Sequence, residues 1–244
     1  MMKPVQPLKF AEIGNRYFEQ RRRFSEENGP RELWSVIDHW SLYVGIGNLA
    51  RSMAIQDLLR RTLEVPGHIA EFGSWRGANL MLLAKTLRIC DPMGSKQVFC
   101  FDSFEGLTEF APEDGDEATQ TAGKYKGSLE ELKNLISLYE LGDEVIICQG
   151  NIENTLPSMV ESRKELSFSF IYIDVDLYEA TKVILNQTHD RLSSGGLIVF
   201  DEWNRPKYPG ETLAAREFLE SHGDAYTVEH VRNTNQPNLV LCKK

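Results

Sequence analysis

Residues 70–77 read Ala70-Glu-Phe-Gly-Ser-Trp-Arg-Gly77. They close a short apolar strand over 68–72 and open a helix. An acidic residue, two glycines four apart and a strand-to-helix junction make the crossover of a nucleotide-cofactor site. The spacing Glu71, Gly73, Gly77 favours S-adenosylmethionine over a dinucleotide. A pyrophosphate needs a third close glycine so that backbone can approach it, and this turn has none. S-adenosylmethionine carries no phosphate. It needs open backbone near its methionine end and a carboxylate for its ribose hydroxyls.

Downstream of this turn, strands and helices alternate. Apolar runs predict strands at 68–72, 97–102, 144–149, 168–174 and 196–201, with helices at 78–90, 128–141, 153–163, 178–192 and 210–222. Ser128 and Glu131 make a capping box. Continuous runs such as Phe168-Ser-Phe-Ile-Tyr-Ile173 suit strands covered by helices on both faces. Two last strands, 226–231 and 238–242, predict an antiparallel hairpin. The expected fold is α/β: a Rossmann-like class I methyltransferase sheet, seven-stranded and mostly parallel, with a C-terminal antiparallel hairpin. Residues 1–66 read as an N-terminal helical extension or lid of about three helices, and 67–244 as the cofactor-binding domain. Phe10, Ile13, Tyr17 and Phe18 offer the first helix an apolar stripe, for an oligomer interface or its own core. Residues 103–127 read as one long polar connection without helix or strand, of the length expected of a lid or binding loop.

Ligands of such sheets sit at the carboxyl ends of the strands. Strand one ends at Glu71 and Gly73. Strand two ends at Asp102, placed to accept hydrogen bonds from ribose hydroxyls or to sit as a solvated turn residue. Strand three ends at Gly150-Asn151-Ile152, where an adenine would meet backbone and apolar contact. Strand four ends in Asp174-Val-Asp176 and strand five in Asp201-Glu202. Crowded carboxylates repel, and burying them unpaired is costly. A hard divalent cation, Mg²⁺ or Ca²⁺, resolves this. Asp174, Asp201 and Glu202 are the expected ligands, with Asp176 capping the helix that opens near Tyr178. The alternative is helix capping plus a salt bridge to Arg205 or Lys207. A bound cation would lower the pKa of a sugar or alcohol hydroxyl and orient it for in-line attack on the methyl group. Asp174 could take the proton. His39 is a second candidate base, and Trp34, Trp40 and Tyr43 could line an acceptor pocket or fill a core.

These motifs resemble the macrocin O-methyltransferase family, over roughly residues 40 to 242. The resemblance rests on Glu71–Gly77, on Phe101-Asp-Ser-Phe-Glu-Gly-Leu107, on Gly150-Asn-Ile-Glu-Asn-Thr-Leu-Pro157, on Ile173-Asp-Val-Asp-Leu-Tyr-Glu179 and on Gly195-Gly-Leu-Ile-Val-Phe-Asp-Glu202. It implies S-adenosylmethionine, a divalent cation (usually Mg²⁺, with Ca²⁺ as a substitute), homo-oligomers, and acceptors that are nucleotide-linked or already glycosylated sugars. It implies a cofactor site of Glu71, Phe72, Gly73, Ser74, Gly77, Asp102, Ser103, Gly150, Asn151, Ile152 and Asp174. Asp174 falls on the first metal aspartate and on the residue that could act as base. Glu202 and Trp203 replace the family's more usual aspartate and tyrosine. The variant Asp-Glu-Trp-Asn looks like the branch acting on nucleotide-activated deoxysugars, with natural-product biosynthesis as the setting. The chain is short for the family, which implies a reduced helical lid.

The net charge is −9 over 244 residues, which disfavours nucleic acid, because phosphate-backbone binding needs a basic face. No apolar run approaches the roughly 20 residues that span a bilayer, and the N-terminus lacks a signal-peptide core. Cys90, Cys100, Cys148 and Cys242 lack metal-finger spacing. A cytoplasmic enzyme with no membrane partner is the expectation. Three other readings stay open: a metal-dependent catechol-type methyltransferase, a non-catalytic cofactor-binding scaffold, and a nicotinamide oxidoreductase.

Overall fold

Every residue of the strand Phe168–Ile173 is buried, as a strand needs to be when helices cover both its faces. In the computed structural model, which describes residues 8–244 and within the first helix the side chains of Arg16 and of residues from Glu19 on, this strand is β4 of a seven-stranded sheet. Four helices come first: α1 (Leu8–Asn28), α2 (Leu33–Asp38), α3 (Trp40–Tyr43) and α4 (Ile46–Arg60). Then follow β1 (His68–Phe72), α5 (Ala78–Cys90), β2 (Val98–Asp102), α6 (Gly115–Thr119), α7 (Leu129–Leu138), β3 (Val145–Gln149), α8 (Ile152–Ser162) and β4. The chain ends with α9 (Tyr178–Thr188), β5 (Leu192–Phe200), α10 (Pro209–His222), β6 (Tyr226–His230) and β7 (Leu239–Lys243).

The strand order is β3-β2-β1-β4-β5-β7-β6. The first five strands are parallel, and β7 runs antiparallel to both β5 and β6. After β3 the chain crosses back to the other side of β1, so the order reverses between β1 and β4. A crevice opens at such a switch point, outside the strands' carboxyl ends.

Alternation sends successive side chains to opposite faces. Ala70, Phe72, Phe101, Ile171 and Phe200 share one core with Leu156, Ile184 and Phe218 of α8, α9 and α10. Ile69, Cys100, Phe170 and Val199 share the other with Ile55 and Leu59 of α4, Leu83 of α5 and Leu132 of α7. Each such large side chain contributes roughly 1.5–3 kcal/mol by leaving water. The second half of α4 therefore packs directly on the sheet, so the helices before β1 are not a detached layer.

Three features differ from the sequence expectation. Among the described residues the N-terminal segment forms four helices, because His39 interrupts the second at φ −115°, ψ 33°. The stripe Phe10, Ile13, Tyr17 and Phe18 lies outside the described residues. The 103–127 connection holds a 3-10 turn at Pro112–Asp114 and the short α6. The buried Asp114 carboxylate organises it: Oδ2 accepts the Ala111 amide at 2.7 Å and Oδ1 accepts the Tyr178 amide at 2.7 Å. Among the described residues no helix is long and apolar enough to cross a membrane. The four cysteines are free.

Candidate active site

The turn after β1 is shaped by its neighbours. Gly73 has φ +83°, and a Cβ there would stand 1.9 Å from the Asp174 carbonyl oxygen. The strand ends are this close because Asp174 donates its amide to the Phe72 carbonyl at 2.9 Å. Gly77 has φ +81°, and a Cβ there would strike Leu132 Cδ1 at 2.5 Å. Asp102 fixes the turn from β2. Its Oδ2 accepts the amides of Ser74 (2.7 Å) and Trp75 (2.8 Å), and its Oδ1 accepts that of Phe104 (2.6 Å).

Glu71 lies beneath this turn, without exposure. Its Oε2 accepts the Ser74 hydroxyl and its Oε1 has no hydrogen-bond partner. Burial pushes its pKa up to about 8. Between pH 4.5 and about 8 the native state then holds a proton that the unfolded chain has lost. Stability falls as pH rises through that window, by at most about 1.4 kcal/mol per pH unit from this group. Glu71→Gln keeps the bond to Ser74 and removes the ionisation. Its melting temperature should match the wild type near pH 4 and exceed it by several degrees at pH 8. Parallel melting curves against pH would refute this.

A cavity of about 870 Å³ opens over the switch point. Gly73, Ser74, Asp102, Ser103, Gly150, Asn151, Ile152 and Asp174 line it, as expected of cofactor residues. Glu71, Phe72 and Gly77, also expected at the cofactor, are not among the lining residues. Trp34 and Trp40 are half exposed on α2 and α3. They and Tyr43 lie outside the lining. His39 hydrogen-bonds the Ser35 carbonyl of its own helix at 3.0 Å and also lies outside.

The acids gather at the mouth of β4 and β5, with one reassignment. Oxygens of Asp174, Asp176 and Glu202 lie within 4.8 Å of one another. Asp201, expected as a ligand, is not a member of this group but is tied to it through Arg51 and Gln236. It is 1% exposed, its Oδ1 accepts the Tyr172 hydroxyl, and its Oδ2 accepts Arg51 at 2.9 Å and Gln236 at 2.7 Å. Asp176, expected to cap α9, does not. Leu177 holds the N-cap position, and Asp114 takes the Tyr178 amide. With φ +64°, Asp176 turns back among the acids. Its carboxylate makes no hydrogen bond or ion pair among the described residues. The expected alternative is present in part: Arg205 Nε stands 3.0 Å from Glu202 Oε2.

Sequence reading missed Arg51. Its two terminal nitrogens reach Asp174 Oδ2 and Asp201 Oδ2, each at 2.9 Å. The two aspartates do share one cation, and it is a guanidinium. Gln236 was also missed; it bridges Asp201 and Glu202. Asn48, Arg51 and Ser52, at helical spacing on α4, were the available signal, though the same pattern marks any solvated helix face.

Burial, and after it the Asp201 charge, pushes Asp174 well above the ordinary carboxylate range. Burial and the Glu202 charge do the same to Asp176. Glu202 is raised to about 7 by burial and then by Asp201, against the opposing Arg205. Glu211, unexposed behind them, accepts the Glu202 amide at 2.8 Å and is itself pushed well up by burial.

The sheet order, the glycine turn and the cavity at the switch point define the class I methyltransferase fold. The chain belongs to the macrocin O-methyltransferase (TylF) family, whose profile matches residues 6–235. It is 30% identical over 145 residues to a tetracenomycin 4'-O-methyltransferase of Streptomyces olivaceus that carries a rhamnosyl group in its name, covering 57% of this chain and 54% of that protein. It is 26% identical over 167 residues to mycinamicin III 3''-O-methyltransferase of Micromonospora griseorubida, covering 65% and 63%. The chain spans about half the length of the first of these relatives. Among solved structures, calicheamicin methyltransferase CalS11 superposes with a TM-score of 0.80 at 23% identity, over 98% of this chain and 93% of that one. The methyltransferase NovP superposes at 0.65 with 24% identity, over 80% and 79%.

Proposed function

We propose that the protein transfers the methyl group of S-adenosylmethionine to a sugar hydroxyl, with a divalent cation, Mg²⁺, held by Asp174, Asp176 and Glu202. The observation that carries this is the meeting of that acid triad and the glycine turn in one cavity. Three carboxylates, one of them without another partner, suit a hard cation with oxygen ligands. When bound, the ion would acidify the acceptor hydroxyl and fix its oxygen.

The chain's own residues do the rest. Gly73 and Ser74 offer backbone to the methionine end. A carboxylate accepts about four hydrogen bonds, and Asp102 spends three on amides, which leaves one for a ribose hydroxyl beside Ser103. Gly150, Asn151 and Ile152 edge the adenine. Asp174, at the end of β4 and in the cavity lining, is the carboxylate placed to remove the acceptor proton.

The sequence points to a nucleotide-linked deoxysugar, and the CalS11 structure described as a TDP-rhamnose 3'-O-methyltransferase superposes with a TM-score of 0.73 over 92% of this chain. The charge of the lining instead favours a sugar already joined to its aglycone, the kind of acceptor that the tetracenomycin and mycinamicin relatives are named for. Glu105, Glu109 and Glu153 add to the strand-end acids in the lining, and Arg51 is its one basic residue among the described residues. Arg205, Lys207, Lys124 and Lys126, expected to meet a diphosphate, do not line the cavity. A nucleotide-linked sugar would bring further negative charge to this wall. With a rhamnosyl polyketide and TDP-rhamnose as paired acceptors, kcat/KM should favour the polyketide at least tenfold. The opposite preference would remove the acceptor reading and leave methyl transfer standing.

A further inference from the structure

Methyl transfer explains the acids of this site but leaves Arg51 with more than it needs to do. The residue rides on α4, whose two halves differ. Ala54, Ile55, Leu58 and Leu59 anchor the second half in the core. In the first half Ile46 is 60% exposed and Met53, just beyond it, is 51% exposed, while α2 and α3 before it bury no residue. From this thinly packed half, Asn48, Arg51 and Ser52 face the cavity. The guanidinium clamps Asp174 and Asp201 at 2.9 Å each, with the three side chains 24%, 25% and 1% exposed. A two-pronged, largely buried pair of this kind is strong and directional.

Asp174 thus belongs to two cation sites at once. It is one prong of the Arg51 clamp, and it is one corner of the triad with Asp176 and Glu202. A guanidinium and a divalent ion on the same carboxylate repel each other, and the low dielectric of the site sharpens that repulsion. Asp201, by contrast, keeps Tyr172 and Gln236 as partners whatever Arg51 does.

We propose that Arg51 is an internal competitor for the cation: a divalent ion on Asp174, Asp176 and Glu202 takes Asp174 from the guanidinium and so unfastens the first half of α4 from the strand ends. α4 is then a latch on the cavity, and the ion is its key. The inference rests on the cation reading given above.

Mn²⁺ binding to the full chain, followed by electron paramagnetic resonance, tests the competition. Arg51→Met should bind Mn²⁺ at least tenfold more tightly than the wild type, with Arg51→Lys between them. Hydrogen exchange tests the latch in the unaltered protein. Saturating Mg²⁺ should speed exchange of the amides over 46–53 at least threefold and leave those over 54–60 unchanged. Equal or weaker Mn²⁺ binding by Arg51→Met overturns the competition while the cation reading stands. Absence of Mn²⁺ binding by both proteins overturns the cation reading and the latch together. Should Arg51→Met fail to fold, the exchange measurement decides alone, and unchanged exchange over 46–53 overturns the proposal.

Discussion

Asp174→Asn should lower kcat by at least about a thousandfold, with the affinity for S-adenosylhomocysteine held within about tenfold. The substitution keeps the shape of the side chain and removes its charge. Three functions go with that charge. The triad loses one of its three carboxylates. The acceptor loses its base, a loss that general-base removal alone puts at 10²–10⁴-fold. Arg51 loses one of its two partners. The backbone of Gly73 and Ser74, proposed to meet the methionine end of the cofactor, does not depend on this side chain. Turnover within tenfold of the wild type would show that the acids of β4 take no part in the chemistry. A drop in kcat matched by lost cofactor affinity would point to a collapsed site. The pH profile carries a second reading. Without the ion, burial and the Asp201 charge hold the Asp174 carboxyl above the ordinary range. A bound divalent cation favours the ionised form, so the acid limb of the kcat profile should move to lower pH as Mg²⁺ is raised.

Gly73→Ala should be among the most damaging glycine substitutions in the described residues. The new Cβ would stand 1.9 Å from the Asp174 carbonyl oxygen and 2.7 Å from its carbon. Neither atom can retreat, because the Asp174 amide is bonded to the Phe72 carbonyl and the Gly73 amide to the Phe101 carbonyl, both at 2.9 Å. The backbone conformation, φ +83°, adds its own strain for any residue with a side chain. Together these put the loss near or above about 4 kcal/mol, in the range of named backbone and packing faults. For a chain of this size that is a fall in Tm of roughly 8–16 °C. Gly142→Ala is the control: nothing lies within 4 Å of its Cβ and its φ is not in the left-handed region. It should melt within about 2 °C of the wild type. A Gly73→Ala protein that melts with the control would mean the strand ends are not packed as described.

The sheet was legible because its signals are local. Runs such as Phe168–Ile173 can be buried on both faces only if helices flank them, and the glycine turn marks where β1 hands over to α5. The boundaries agree to within a few residues for the same reason. The site was legible only in part. Asp174 and Glu202 could be placed at strand ends by counting. That Asp176 joins them in the close group of acids could not, because it is decided by partners far away in the chain. Asp201 is engaged by Tyr172, Gln236 and Arg51, the last 150 positions away. Asp176 is free to join because Asp114, 64 positions from Tyr178, takes over the capping of α9. The same Asp114 explains why 103–127, polar in sequence, is a pinned segment with a turn and a helix of its own. Arg51 sat on a helix whose polar residues looked like a solvent face, and only the sheet's packing against Ile55, Leu58 and Leu59 shows that this face looks into the cavity.

The most direct measurement is the fate of a trideuterated methyl group. The enzyme would be given S-adenosylmethionine labelled in that group and a rhamnosyl polyketide, with Mg²⁺ or with chelator. NMR should place the label on a sugar oxygen in the first case. In the second, transfer should stop, S-adenosylhomocysteine binding should persist, and added Mg²⁺ should restore transfer. Label found on carbon or nitrogen, or transfer that continues undiminished under chelation, would contradict the account.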